Sequence, residues 1–159
     1  MRKVIATTLV AAALAVVVAN SATAADSVVG ATNCLTVNGG QVTRPAGSTI
    51  VVRNGFSTKT YGLNVDFLKA ETTTISVNGG PTVDISSLYG APTQPSDGTW
   101  VSNAFYATGV TLANPGDTMT FTISVSLSHR FADVLAGPGQ PLFGGPGVIF
   151  SGTCTVTAV

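Results

Sequence analysis

The segment Thr118–Ser128, TMTFTISVSLS, constrains the fold of this chain more than any other stretch. Apolar residues alternate with Thr or Ser along its whole length, and none of its residues is charged. A period of two places all the apolar side chains on one face of a β-strand. The segment therefore predicts a strand with one buried face and one face that carries only hydroxyl groups.

Shorter segments of similar character recur along the chain. We predict strands at residues 49–53, 61–71, 99–112 and 148–157. The residues that end the second of these, Asp66–Lys69, are also compatible with a short helical turn. Segments rich in Pro and Gly at 86–98, 113–117 and 137–147 predict turns and loops between the strands.

Asn-Gly pairs mark further bends. Asn38-Gly39 predicts a hairpin over residues 34–43, and Asn78-Gly79 predicts another over 74–86, because type I′ turns favour this dipeptide. Asn54-Gly55 predicts a bend after the strand at 49–53. The first two pairs lie in identical Val-Asn-Gly-Gly sequences, Val37–Gly40 and Val77–Gly80. A four-residue match favours convergence on good turn chemistry over an internal duplication.

These elements together predict an all-β protein. The expected architecture is a single-domain antiparallel β-sandwich of about seven to nine strands, in immunoglobulin-like or jelly-roll order, with a barrel as the alternative.

The first 24 residues predict a secretory signal peptide of bacterial type. Arg2 and Lys3 precede an uncharged apolar run, Leu9–Ala19, and Ala22–Ala24 forms an A-x-A cleavage pattern. The alternative is an uncleaved anchor, but the run is shorter than the roughly 20 residues that span a bilayer. We expect residues 25–159 to form the secreted domain, located outside the cell or in the cell envelope.

Two cysteines, Cys34 and Cys154, lie near the two ends of that domain. In an exported protein a single pair is most simply one disulfide. Such a bond would close a loop over almost the whole domain and staple the sandwich.

Charge is unusually scarce. Charged residues make up 9% of the chain, whereas about 25% is usual for a soluble domain. Without Arg2 and Lys3 the few remaining cations are scattered, so they form no stripe that follows phosphates. Nucleic acid is therefore excluded as an expected partner.

No catalytic constellation is evident. The chain has one histidine, His129, and it lacks a G-x-S-x-G nucleophile motif. The carboxylates show no spacing that selects a glycosidase pair or a calcium loop. We expect a non-enzymatic protein without a metal or cofactor.

Two features predict binding surfaces. Aromatic, amide and acidic residues that could stack on a sugar and bind its hydroxyls are Tyr89, Asp97, Trp100, Asn103 and Tyr106. The alternative for Trp100 is the core tryptophan of a sandwich. Leu142 and Phe143 form an apolar tip in the Gly-Pro loop, which either contacts a partner or folds back over the core.

Three functions follow in order of preference. The first is an exported structural or adhesion protein of the cell envelope, acting by self-association or on a cell-surface polymer or protein. The second is a secreted carbohydrate- or ligand-binding module that uses the aromatic loop. The third is a subunit of an oligomeric membrane β-pore. Membrane insertion is disfavoured because only one strand shows the full alternating pattern.

Overall fold

A computed structural model describes residues 25–131 and 144–159 of the chain. The predicted signal peptide, residues 1–24, and the loop tip at Leu142 and Phe143 lie outside the described residues. The described chain forms two β-sheets that pack face to face.

The smaller sheet has three strands in the order β1-β3-β6. Its strands are β1 (Asp26–Gly30), β3 (Ser48–Thr58) and β6 (Trp100–Leu112). Strand β3 lies in the centre, parallel to β1 and antiparallel to β6.

The larger sheet has five strands in the order β2-β8-β7-β4-β5. Its strands are β2 (Gln41–Arg44), β4 (Glu71–Val77), β5 (Val83–Asp84), β7 (Thr118–Leu127) and β8 (Gly147–Ala158). Strand β7 is antiparallel to both of its neighbours, β8 and β4. Both of its edges are therefore paired.

The predicted β-sandwich is confirmed, and the eight strands of the described residues fall in the expected range. The sheets are not wholly antiparallel, because β1 pairs with β3, and β2 with β8, in parallel. Parallel neighbours need a crossover connection. Strand β2 belongs to the opposite sheet and lies between β1 and β3 along the chain. The connection from β1 to β3 therefore crosses to the other sheet and back. The immunoglobulin-like or jelly-roll order stays a prediction.

Alternating apolar residues from both sheets form the main core. Fully buried side chains of the smaller sheet include Ile50 and Val52, and they share one cluster with Phe121 and Ile123 of β7. The apolar face of β7 is thus buried inside the protein, as its alternation predicts.

The predicted Cys34–Cys154 disulfide is present. The two Cα atoms lie 6.0 Å apart and both residues are fully buried in the main core. Cys34 does not lie on a strand, because Asn33–Val37 forms a turn of π-helix. The predicted hairpin over 34–43 is therefore wrong. Leu35 of this turn packs against Gly152 of β8, so tertiary contacts hold the segment out of strand geometry.

The second Asn-Gly prediction is confirmed. Strands β4 and β5 form an antiparallel hairpin around Asn78-Gly79, and both residues have positive φ, as a type I′ turn requires. Asn38 by contrast has φ −102°, so the two Val-Asn-Gly-Gly segments differ in structure. The bend predicted at Asn54-Gly55 is wrong, because β3 continues through both residues, paired with β6.

The predicted strand at 61–71 is wrong, because Tyr61–Ala70 forms a helix, α1, which includes the alternative helical turn at Asp66–Lys69. The Thr60 side chain caps it by accepting a hydrogen bond from the Leu63 amide (3.3 Å). Buried residues at Phe67 and Ala70, with partly buried Leu63, follow helical spacing and cover a second core cluster with Phe56. The alternation at Leu63, Val65 and Phe67 is misleading, because positions four apart also share one face of a helix.

Candidate functional site

The outward face of the larger sheet is lined by hydroxyl groups. Alternation places the Ser and Thr residues of β7 outward, opposite its buried apolar side chains. The strands on either side of β7 continue the pattern, because residues paired in register point to the same face. We call this surface the hydroxyl face; it consists of Gln41, Thr43, Thr72, Thr74, Ser76, Thr118, Thr120, Thr122, Ser124, Ser126, Ser151, Thr153, Thr155 and Thr157.

The hydroxyl face is ordered in rows that cross the sheet. One row runs Ser76, Thr122, Thr153, and another runs Gln41, Thr155, Thr120. Neighbouring strands lie about 4.8 Å apart, and outward residues of one strand recur about every 6.7 Å. The face therefore presents a two-dimensional array of short hydroxyl side chains, which is interrupted at the bulge where exposed Val148 pairs with Ser126.

Charge is nearly absent from this array. Within the described chain, the one charged residue in register with it is Asp84, at the edge strand β5. The Asp84 carboxylate accepts hydrogen bonds from the Ser86 amide (2.9 Å) and hydroxyl (2.7 Å), which lower its pKa. The Thr122 and Thr153 hydroxyls bond to each other (2.7 Å). The hydroxyls of Thr120 and Thr155 make no hydrogen bond among the described residues, although the Thr120 amide donates to Asn78 Oδ1 (2.9 Å).

The outward face of the smaller sheet has a different character. It carries exposed apolar side chains, with Phe105 52% and Val28 45% accessible to solvent. Partly buried Val51 lies between Val28 and Ala107 in register. This face also carries one cation, Arg53, whose register neighbours are Gly30 and Phe105.

A cleft of about 340 Å³ opens at one end of this face. It is lined by Gly30, Ala31, Thr32, Asn33, Arg53, Gly55, Ser57, Val101 and Asn103. No acidic residue lines it. Gly55 makes room for a polar side chain of the cleft, because a Cβ there would come within 2.5 Å of Asn103 Oδ1. Gly30 lies beside Arg53, and a Cβ there would be in ordinary contact, 3.6 Å from Arg53 Nη2.

The structure does not bring the five predicted ligand-binding residues onto one surface. Trp100 and Tyr106 lie at even positions of β6 and share the inward side with buried Ser102, whereas Asn103 points outward into the cleft. Trp100 is half-buried and meets the ring of Tyr61 edge-on, with centroids 5.1 Å apart. Tyr106 packs against the main core.

Tyr89 belongs to a polar chain between the sheets. Asn54 Nδ2 donates to the Tyr89 hydroxyl (2.7 Å), which lies 3.3 Å from Thr73 Oγ1. Thr73 donates its proton to Glu71 (2.6 Å), so Tyr89 must donate to Thr73. Burial raises the pKa of both Tyr89 and Glu71. The hydroxyl groups of Tyr89 and Thr73 therefore both bond to other groups of the protein.

Asp97 lies on the exposed loop before β6. Its carboxylate accepts hydrogen bonds from the Thr99 amide (3.0 Å) and hydroxyl (2.7 Å), and these bonds lower its pKa. The interactions are those of a local turn, which orders the loop. Ligand binding by Asp97 stays a prediction.

Within residues 25–131 and 144–159, no cluster of three or more His, Cys, Asp or Glu residues is present that could hold a metal ion. His129 is exposed just after β7, with Nδ1 3.2 Å from the Ser128 hydroxyl.

Sequence reasoning missed the cleft. Its two main polar residues, Arg53 and Asn103, lie fifty positions apart and meet only through the pairing of β3 with β6. Gly55 was the available signal, since a glycine inside a strand often marks a close approach. The Asn54-Gly55 dipeptide instead favours a bend when the sequence is considered alone.

Comparisons with known proteins identify no relative. No family model matches the sequence, and no curated protein or solved structure matches it at a significant level. None of the described helices has the length and apolar character needed to cross a membrane.

Proposed function

We propose that this protein is an exported, non-enzymatic adhesion protein of the cell envelope or extracellular space, which binds a neutral hydroxyl-rich surface polymer through its hydroxyl face. The observation that carries the proposal is the regular, nearly charge-free array of Ser and Thr side chains across strands β2, β8, β7 and β4. Export rests on the predicted signal peptide, and the disulfide is compatible with an oxidising compartment.

The chemistry of the array supports a polymer partner over a protein partner. Hot spots of protein interfaces are rich in Trp, Tyr and Arg and poor in Ser and Thr. The hydroxyl face has none of the former residues. A short hydroxyl both donates and accepts, so a row of them can match the hydroxyl groups of a neutral polysaccharide in either direction.

Low charge favours the same kind of partner. A Lys or Glu buried against an uncharged polymer would lose its hydration without gaining an opposite charge, which is costly. The hydroxyls of Thr120 and Thr155 cost less to desolvate, and a repeating polymer offers each of them a new partner. Many weak, equivalent contacts then add along one chain of the polymer.

The proposal is tested by removing hydroxyls without changing shape. We expect the purified protein, residues 25–159, to sediment with insoluble cellulose or chitin particles. The triple variant T74V/T120V/T155V should bind at least about tenfold more weakly, because three hydroxyls, each contributing about 0.5–1.5 kcal/mol, are lost.

The matched control makes the same change on the other sheet. Thr49 and Thr111 lie on the outward face of the smaller sheet and bond to each other (2.9 Å). The double variant T49V/T111V should bind the particles like the unaltered protein. Equal binding by the two sets of variants would contradict the proposal, as would failure of the unaltered protein to bind either polymer.

A further inference from the structure

We propose that the cleft on the smaller sheet binds a carboxylate-bearing sugar, with Arg53 holding the carboxylate. The cleft lies on the opposite side of the sandwich from the hydroxyl face, so this site is independent of the proposed polymer contact. None of the hydrogen-bond networks described above uses the side chains of Arg53 or Asn103.

Arg53 supplies an uncompensated positive charge. It is exposed, and it makes no ion pair or side-chain hydrogen bond with any residue in 25–131 or 144–159. Its guanidinium lies next to Gly30 of β1, and the side chain is exposed to solvent. Guanidinium groups bind carboxylates through two parallel hydrogen bonds.

Asn103 supplies a neutral amide beside that charge. Its side chain lies over Gly55 on the neighbouring strand and has no side-chain hydrogen bond within the described residues. Gly55 and Arg53 are two positions apart on β3, which is about 7 Å along the strand backbone. The charge and the amide therefore project from separate points of the sheet, which suits a ligand that carries a carboxylate and hydroxyl groups at different positions.

The remaining groups suit the rest of a sugar. Ser57, Thr32 and Asn33 line the cleft with further donors and acceptors for ring hydroxyls. Phe105 lies directly across from Arg53 and is 52% exposed, so its ring can contact the apolar C–H face of a pyranose. The volume of about 340 Å³ lies at the lower end of the roughly 300–1,000 Å³ of ligand pockets, which favours one or two sugar units.

Two other interpretations are that the cleft is a general anion site or that it is an empty surface hollow. The three interpretations differ in the ligands that the cleft would bind. A sugar-acid site requires both the carboxylate and the ring hydroxyls. A general anion site requires only the carboxylate, and an empty hollow binds neither a sugar nor an anion.

The test is a titration of the ¹⁵N-labelled domain, residues 25–159, with three probes: D-glucuronate, D-glucose and acetate. We expect glucuronate to cause saturable shifts of amide signals around Arg53, Gly55 and Asn103. Glucose and acetate should each bind at least about tenfold more weakly than glucuronate, because glucose lacks the carboxylate and acetate lacks the ring hydroxyls.

Two variants test the roles of the residues. R53Q removes the charge and should weaken glucuronate binding about tenfold while leaving the weak glucose shifts unchanged. G55A keeps the charge but forces the Asn103 amide aside, and it should weaken glucuronate binding several-fold. The matched control is K59Q, which removes an exposed cation outside the cleft and should change nothing.

Several results would overturn the inference. Equal binding of acetate and glucuronate would reduce the cleft to a general anion site, and equal binding of glucose would remove the role of Arg53. Absence of saturable shifts near the cleft would show that it holds no sugar acid. The T74V/T120V/T155V variant should bind glucuronate normally, so failure of the polymer proposal leaves this outcome unaffected.

Discussion

Removing the Cys34–Cys154 disulfide should destabilise the protein strongly while leaving its structure in place. The bond links residues 120 positions apart. For a loop of that length the chain-entropy relation gives about 4.9 kcal/mol at 25 °C. The double variant C34A/C154A loses this term and also two fully buried sulfur atoms, so we expect a total loss of about 5–6 kcal/mol.

Backbone pairing explains why the fold should persist. Strand β2 remains hydrogen-bonded to β8, and the Val159 amide still donates to the Arg44 carbonyl (2.9 Å). The larger part of the loss therefore acts through the unfolded chain, which becomes free to expand. The unfolding free energy should therefore fall more steeply with urea concentration, because a less constrained unfolded chain exposes more surface.

Urea unfolding followed by circular dichroism measures both quantities. With a slope of about 2 kcal/mol per molar urea, the midpoint should fall by about 2–3 M. The unaltered protein unfolded with a thiol reductant should match the variant apart from the small cavity term. A loss under about 1 kcal/mol, with an unchanged slope, would refute the reasoning, since the unfolded chain would then already hold its ends together.

Two further predictions concern buried polar groups. Because burial raises the pKa of Glu71 in the folded protein, its contribution to stability is fully present below the unfolded pKa of about 4.3 and is lost as pH rises through the folded pKa. The free energy of unfolding of E71Q should therefore increase relative to that of the unaltered protein as the pH rises from acidic to neutral. Urea unfolding measured across that range would contradict this if the difference between the two proteins stayed constant. Asn64 donates to the Trp100 carbonyl (2.8 Å) and accepts from the Ser102 hydroxyl (2.7 Å), so N64A should cost about 3 kcal/mol; a double-mutant cycle with S102A should give a coupling of about 1 kcal/mol or more, and strictly additive losses would contradict a direct interaction.

The sandwich was predictable where a segment's own pattern agrees with its tertiary environment. The alternation of β7, the long β6 segment and the Pro-Gly turn between them all point to strands, and the structure confirms them. The disulfide followed from compartment and cysteine count. Strand order was not predictable, because pairing partners such as β2 and β8 lie more than a hundred residues apart.

Helix α1 and the Asn33–Val37 turn show where local patterns are ambiguous. A short segment with apolar residues at Leu63 and Phe67 satisfies both a strand and a helix. The decisive groups were Thr60, which caps the helix, and Asn64, which is fully buried and bonded to β6. The cap was visible in the sequence, but the buried asparagine acquires its meaning only from the folded neighbours.

The predicted ligand cluster treated residues near in sequence as near in space. A period of two on β6 separates Trp100 and Tyr106 from Asn103, and this rule was available from the sequence. The companions of Asn103 were not available, since Arg53 and Ser57 reach it through the β3–β6 register. A register set by long-range pairing and an interruption between Thr49 and Val51 cannot be read from either strand alone.

The sheet edges favour contact through faces rather than polymerisation. Long exposed edges are the usual sites at which β-proteins pair with further chains. In the described residues, β5 has two residues and β2 four, and the outer edge of β6 is bridged at Ala104 by Tyr89 and at Val101 by Thr93. The short edges of the larger sheet therefore offer few consecutive free N–H and C=O groups, and the two bridges shorten the free edge of β6. The two broad outward faces remain, one uncharged and hydroxylated, the other with a cation in a cleft. Under the two proposals, the hydroxyl face would contact a neutral polymer and the cleft on the opposite face would hold a sugar acid.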